Sequence, residues 1–146
     1  MKLPRILALA AMLALSACGE EPTLEQQIIG VINEMETLAE AGERGAFMDR
    51  VDEAFAGQQG TLLREEFRRY LVLQWNQHQR LYAQLFPISV QAEGRNHARA
   101  RFKALVTGGR GMLPDRGELY QIDTTWRKVD GDWLLLSADW VPVGAK

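Results

Sequence analysis

Between Glu118 and Val143 the chain carries two apolar runs separated by Asp130-Gly131, and three of its four tryptophans, Trp126, Trp133 and Trp140, fall in this stretch. Asp-Gly between two such runs is a strong local signal for a β-hairpin, because the turn needs backbone with positive φ and glycine takes it without steric cost. The sequence therefore predicts strands over 118–129 and 133–143, folded back on one another. A chain that commits its largest side chains to one hairpin must build its core against that hairpin.

The apolar pattern also bears on register. A plain two-residue turn sets Trp126 opposite Leu135 and Ile122 opposite Asp139, which puts a carboxylate on the face that holds Trp126. One bulged residue at the turn sets Trp126 opposite Leu134, Thr124 opposite Leu136, Ile122 opposite Ala138 and Tyr120 opposite Trp140. Since a one-residue slip sends every side chain to the other face, the bulged register is the expectation. It predicts a pocket wall of Tyr120, Ile122, Trp126, Leu134, Leu136 and Trp140. Arg127, Trp133, Thr125, Leu135, Asp123 and Ser137 are then on a mixed outer face.

The first residues read as an address and not as part of the fold. Lys2 and Arg5 precede an apolar run, Ile6–Leu15, that is too short to span a bilayer. Leu15-Ser16-Ala17-Cys18 follows and resembles the lipobox of bacterial lipoprotein signals. The resemblance implies removal of 1–17, a diacylglyceryl thioether on Cys18 and acylation of the new amino terminus. Several acyl chains on one residue anchor stably where a single chain does not. Gly19 in place of Asp, in lipoproteins of the Gram-negative type, implies the periplasmic face of the outer membrane. Membrane lipid is thus an expected partner through Cys18, the only cysteine, which also excludes an intrachain disulfide.

Without 1–17, 129 of the 146 residues remain, enough for one domain. Loss of Lys2 and Arg5 reduces 17 basic residues to 15 against 19 acidic ones, a net charge of −4 with both histidines neutral. That balance argues against nucleic acid as a partner.

Residues 18–23 form a short tether, and 24–143 the domain. Thr23 with Gln26 three residues on is a capping box. Leu24, Ile28, Val31, Ile32, Met35, Leu38 and Ala39 recur at helical spacing before a stop at Gly42. The polar face is rich in glutamate (Glu25, Glu34, Glu36, Glu40), which favours core packing over an anionic membrane surface. A second helix is predicted from Gly45 to about Phe55, with Phe47, Val51 and Phe55 on one stripe. Gly57-Gln58-Gln59-Gly60 ends it, and Thr61 is the expected cap of a third helix that finishes near His78. No strand is predicted between the second and third helices.

From Arg80 the period becomes extended. Leu81–Ala92 reads as a strand interrupted by Pro87, hence at an edge or a bulge. Asn96–Thr107 alternates Arg95, His97, Arg99, Arg101 and Lys103 with small apolar residues. A basic ladder of this kind, Arg95, Arg99, Arg101 and Lys103, can dock anionic groups, or be a solvated outer face with Glu93 or Asp123 as neighbours. The Gly108–Gly117 loop lacks the Gly-Lys-Ser/Thr of a nucleotide-binding turn, and Met112 and Leu113 are candidate lid residues at a cavity mouth.

Three helices followed by strands describe an α+β chain, with the helices packed on a curved four-stranded antiparallel sheet in a cone-like roll. The run Tyr120-Gln121-Ile122-Asp123-Thr124-Thr125-Trp126-Arg127-Lys128-Val129-Asp130-Gly131-Asp132-Trp133-Leu134-Leu135 is similar to the closing strands of the nuclear transport factor 2-like superfamily, which includes ketosteroid isomerase. The resemblance implies a conical domain with a pocket between sheet and helices, often a homodimer through the outer sheet face. Trp133 and Leu135 would suit that seam.

The chemistry the residues offer is limited. Two histidines nineteen positions apart make a poor metal site, no cofactor motif is present, and no Ser-His-Asp or Cys-His arrangement is evident. An isomerase or dehydratase site needs a base and an oxyanion donor in an apolar cavity. Asp139, Asp123 and Tyr120 are its candidates, yet both aspartates fall on the outer face in the preferred register. The expectation is therefore a lipid-anchored envelope module that binds a small apolar ligand or assists assembly and is not catalytic. A small cofactor-free enzyme is the alternative.

Overall fold

The computed structural model describes residues 19–78, 80–109 and 116–144. The signal segment, Cys18, Met112 and Leu113 lie outside the described residues. Helix α1 spans Leu24–Ala41. Its capping box is complete: the Gln26 N–H donates to Thr23 Oγ1 at 3.2 Å, and the Thr23 N–H donates to Gln26 Oε1 at 2.9 Å. Gly42 ends it in the left-handed region at φ +69°, and the indole N–H of Trp75 donates to the Ala39 carbonyl at 2.9 Å. Ile28, Val31, Ile32 and Met35 form its buried stripe.

Helix α2 covers only Arg44–Asp49 and not the predicted reach to Phe55. Beyond it the chain runs beside the final strand. The Leu135 N–H donates to the Arg50 carbonyl at 2.8 Å, and the Asp52 N–H donates to the Leu135 carbonyl at 3.0 Å. Val51 and Phe55 are still buried, so their spacing reported the core correctly but not the helix. An open sheet edge needs hydrogen-bond partners, and this segment supplies them. Arg64 closes the end of α2 by donating to the carbonyls of Met48 at 3.0 Å and Val51 at 3.3 Å.

Two short strands follow where none was predicted: β1 (Ala56–Gly57) pairs with β2 (Leu62–Leu63). Helix α3 spans Arg64–Gln77. Leu63, and not Thr61, is its cap residue, with the Leu63 N–H donating to Glu66 Oε2 at 2.7 Å. Thr61 instead donates to the Gln58 carbonyl and closes the turn between β1 and β2.

The main sheet has five antiparallel strands: β3 (Arg80–Leu85), β4 (Ser89–Ala92), β5 (His97–Gly109), β6 (Arg116–Val129) and β7 (Asp132–Pro142). Their order is β3-β5-β6-β7, with β4 also pairing β5. The fifth strand arises because the chain through Pro87 is cut into β3 and β4, both laid against β5. The fold is α+β, with helices packed on a curved antiparallel sheet.

The register of β6 and β7 differs from both sequence alternatives. Asp130 (φ +50°) and Gly131 (φ +87°) form a tight two-residue turn with Val129 opposite Asp132 and no bulge at the corner. The slip comes later. Trp126 pairs with Leu135 and Thr125 with Ser137, so the extra residue is Leu136, in mid-strand. Trp133 and Leu135 therefore lie on the buried face, 6% and 5% exposed, which corrects their assignment to the outer face. Beyond the bulge Ala138 and Trp140 return to that same face, opposite Thr124 and Ile122. The indole of Trp133 donates to Gln27 Oε1 of α1 at 2.9 Å, so a side chain expected at a dimer seam fastens helix to sheet.

Candidate functional site

The inner face of β5 is Ala98, Ala100, Phe102 and Ala104, all buried. Three alanines fill less space than the larger residues around them, and the sheet curves over α1. The result is a cavity of about 280 Å³ between α1 and the sheet, at the lower end of the range for small-molecule sites. Ile32 and Met35 of α1, Phe102 of β5, Ile122 and Trp126 of β6, and Leu135 of β7 form its apolar wall.

The polar content of the wall is small. Thr124 donates to the Ala100 carbonyl at 3.0 Å and accepts the indole N–H of Trp126 at 2.8 Å, so its hydroxyl is already engaged. Two carboxylates, Glu36 and Glu40, sit one helical turn apart on α1 at the mouth. Glu40 Oε1 accepts the Ala83 N–H at 2.9 Å, which caps the otherwise open edge of β3. Burial, with a smaller contribution from the charge of Glu40, pushes the Glu36 carboxyl above the usual range. The helical periodicity places both glutamates on the polar face of α1. Their i, i+4 spacing, one turn on from Ile32, was the available signal.

Of the predicted pocket wall, Ile122 and Trp126 line this cavity. Leu134 and Leu136 do not, because the mid-strand bulge leaves Leu135 as the inward leucine. Trp140 is on the inner face but packs beneath α3, its ring 5.9 Å from Phe67 and 5.7 Å from Tyr70. The Tyr120 hydroxyl donates to Glu118 Oε2 at 3.1 Å, and its phenol is pushed up by burial and then by that carboxylate. It is not part of the cavity lining.

Asp123 and Asp139 face each other across β6 and β7 on the opposite side of the sheet. They share a polar groove of about 390 Å³ with Arg99, Arg101, Thr125 and Ser137. Asp123 is ion-paired with Arg101, and Asp139 Oδ1 accepts the Gln59 N–H at 2.7 Å. Neither carboxylate reaches the apolar cavity, so Asp139, Asp123 and Tyr120 do not assemble into an acid–base site there. Of the basic ladder, Arg99 pairs with Glu93 at 3.5 Å and Arg101 with Asp123, while Arg95 and Lys103 are exposed.

Sequence reasoning also missed a buried ion pair. Asp52 is 1% exposed and accepts from Arg127 Nε at 2.9 Å and Nη2 at 2.7 Å, and from the Ala54 N–H at 2.8 Å. His78 ends α3, its ring packed on the backbone of Gly108, where an added Cβ would approach Nδ1 within 2.6 Å. Among the described residues no three His, Cys, Asp or Glu side chains converge as a metal site. No helix among them is long and apolar enough to cross a membrane.

No protein-family model and no curated protein sequence matches the chain. Solved structures do match. Bd1075 of Bdellovibrio bacteriovorus superposes with a TM-score of 0.69 at 8% identity over 83% of this chain, which spans 41% of that one. A candidate dehydratase of the NTF2-like family from Streptomyces avermitilis gives 0.71 at 16% identity, covering 83% of this chain and 97% of that one. An NTF2-like protein with a cystatin-like fold from Novosphingobium aromaticivorans gives 0.67 at 17% identity, covering 84% and 83%. At these identities the likeness is one of fold, and site chemistry has to be argued from this chain's own residues. The helices packed on a curved antiparallel sheet give the chain the same fold as these NTF2-like, cystatin-like structures.

Proposed function

We propose that this protein is a lipid-anchored envelope module that holds a small molecule with an apolar body in the cavity between α1 and the sheet. The observation that carries the reading is the cavity wall: apolar from Ile32 to Leu135, with its threonine hydroxyl engaged. Burial of apolar ligand surface is the driving force such a wall offers. The sequence Leu15-Ser16-Ala17-Cys18 supports anchoring through acylated Cys18 at the periplasmic face of the outer membrane. A second copy docking on the outer sheet face would meet Arg99, Arg101, Asp123, Thr125 and Ser137 and not a tryptophan seam.

The test is native mass spectrometry of the protein purified from its own envelope, beside an Ala104→Phe variant that fills the cavity. A retained small-molecule mass that disappears in the variant supports the reading. Identical spectra, with no retained mass and no binding of added apolar probes, would overturn it. Metabolic labelling with palmitate, lost in Cys18→Ala, tests the anchor separately.

The Glu36 carboxyl at the cavity favours one second reading, a cofactor-free isomerase or dehydratase with Glu36 in place of Asp139 or Asp123 as base. The likeness to a candidate dehydratase is consistent with it. Deuterium exchange at the α-carbon of bound tetralone, abolished by Glu36→Gln, is its test. No exchange above the buffer rate excludes proton abstraction from such a ketone.

A further inference from the structure

We infer that the ligand of this cavity is an amphipathic cation, with an apolar body against Phe102 and Trp126 and an amine-type head between Glu36 and Glu40. This rests on the cavity being a ligand site, and it adds the charge and orientation of the ligand.

The charge on the wall is of one sign among the described residues. Glu36 and Glu40 are carboxylates, Tyr82 contributes a phenol, and among the described residues no lysine, arginine or histidine lines the cavity. Among the described residues neither glutamate takes part in an ion pair, whereas Glu34, Glu65 and Glu93 all do. Two like charges one helical turn apart repel. Here the repulsion is sharpened because the first of them is half-buried beside apolar surface. An anionic ligand would add a third negative charge to that mouth and is disfavoured. A neutral ligand would leave the two carboxylates as they are. A cation placed between them relieves the repulsion and gains charge-assisted hydrogen bonds from both.

The hydrogen bonding points the same way. Glu40 uses Oε1 on the Ala83 N–H, which fixes its carboxylate at the edge of β3 and leaves Oε2 as an acceptor. Glu36 has no hydrogen-bond partner among the described residues, so both of its oxygens are acceptors without donors. The two carboxylates thus present acceptors to whatever enters between them, and an ammonium, with three donors and no acceptor, is the complementary head. The rest of the wall dictates an apolar body. A hydrophilic polyamine would strand its other polar atoms against Phe102 and Trp126.

The experiment uses the chain from residue 19 onward, since among the described residues every buried core residue lies between Ile28 and Ala138. Three probes share one ring system and differ in charge: 1-naphthylmethylamine, 1-naphthylmethanol and 1-naphthoic acid. Titration calorimetry at pH 8 is expected to rank them cation, neutral, anion, with about tenfold or more between the first two. Glu36→Gln is expected to remove most of that gap by weakening the amine far more than naphthylmethanol, whose hydroxyl can still donate to the amide oxygen. Equal affinity for amine and alcohol, or a gap undiminished in Glu36→Gln, overturns the cationic ligand while leaving the cavity reading intact. If none of the three binds, or if binding is untouched by Ala104→Phe, the cavity reading falls and this inference with it. A cooperative thermal transition in each variant shows that a lost gap is not lost folding.

Discussion

Arg127 reaches from β6 to grip the buried carboxylate of Asp52 with two nitrogens, Nε at 2.9 Å and Nη2 at 2.7 Å. The two residues lie 75 positions apart, and this clamp pins the segment after α2 to the sheet. Removing the arginine leaves a carboxylate that is 1% exposed with only the Ala54 N–H for company. Breaking a buried pair typically costs about 3–5 kcal/mol. Arg127 itself is 40% exposed, so a smaller loss is expected, about 2–3 kcal/mol for Arg127→Met. Urea denaturation measures it. The double variant Asp52→Asn, Arg127→Met should recover part of the loss, because no buried charge is then left unpaired.

Gly131 stands at φ +87° with open space around the position a Cβ would take. A Gly131→Ala variant therefore meets only backbone strain, expected to cost about 1–2 kcal/mol. A denaturant midpoint shifted by that amount, with an unchanged slope, is the predicted result. No shift would mean that the corner of the hairpin relaxes into another turn.

Gln58 replaces a missing strand neighbour. Its side-chain amide donates to the Trp140 carbonyl at 3.2 Å and accepts the Trp140 N–H at 3.2 Å, along the free edge of β7. Its own backbone takes φ +47° to do so. Gln58→Ala should cost about 1–2 kcal/mol and speed hydrogen exchange at the Trp140 amide. Gln58→Gly relieves the backbone strain but not the lost amide, so the Trp140 amide should exchange as fast in both variants. Slow exchange in either would show that some other group covers the edge.

Glu36 makes stability depend on pH. Its carboxyl is raised in the folded protein, by burial first and then by the charge of Glu40. The folded state thus holds this proton more tightly than the unfolded chain. The stabilisation is fully present below the ordinary glutamate range and is lost as pH rises through the raised value. Glu36→Gln is therefore expected to have a higher melting temperature than the parent at pH 7–8, with the difference closing as pH falls towards 4. A difference that is independent of pH would mean that the effect lies in packing and not in the charge.

Three leucines in a row, Leu134-Leu135-Leu136, explain why the wall of the cavity was not legible in advance. Side-chain alternation is the signal that locates a strand's inner face, and three identical apolar residues erase it at the place where the period slips. The bulge then sends Leu135 inward and leaves Leu136 as the extra residue. Likewise Phe47, Val51 and Phe55 are spaced as a helix requires, but the same burial is met by a short helix followed by an edge-pairing segment.

Local chemistry alone determined a good deal: the capping box of Thr23 and Gln26, the left-handed stop at Gly42, the Asp130-Gly131 corner and the break at Pro87. Each depends on residues within a few positions of one another, and their order was enough to indicate helices packed on an antiparallel sheet. Only the tertiary structure decided which carboxylates meet the apolar cavity. Asp139 lies on the far side of the sheet, as the preferred register has it, but through a mid-strand bulge that alternation could not locate. Glu36 and Glu40 reach the mouth because α1 docks with one edge of its polar face against β3, where Glu40 accepts the Ala83 N–H. Both outcomes depend on where distant segments pack, and a face can be called inner or outer only once its partner is in place.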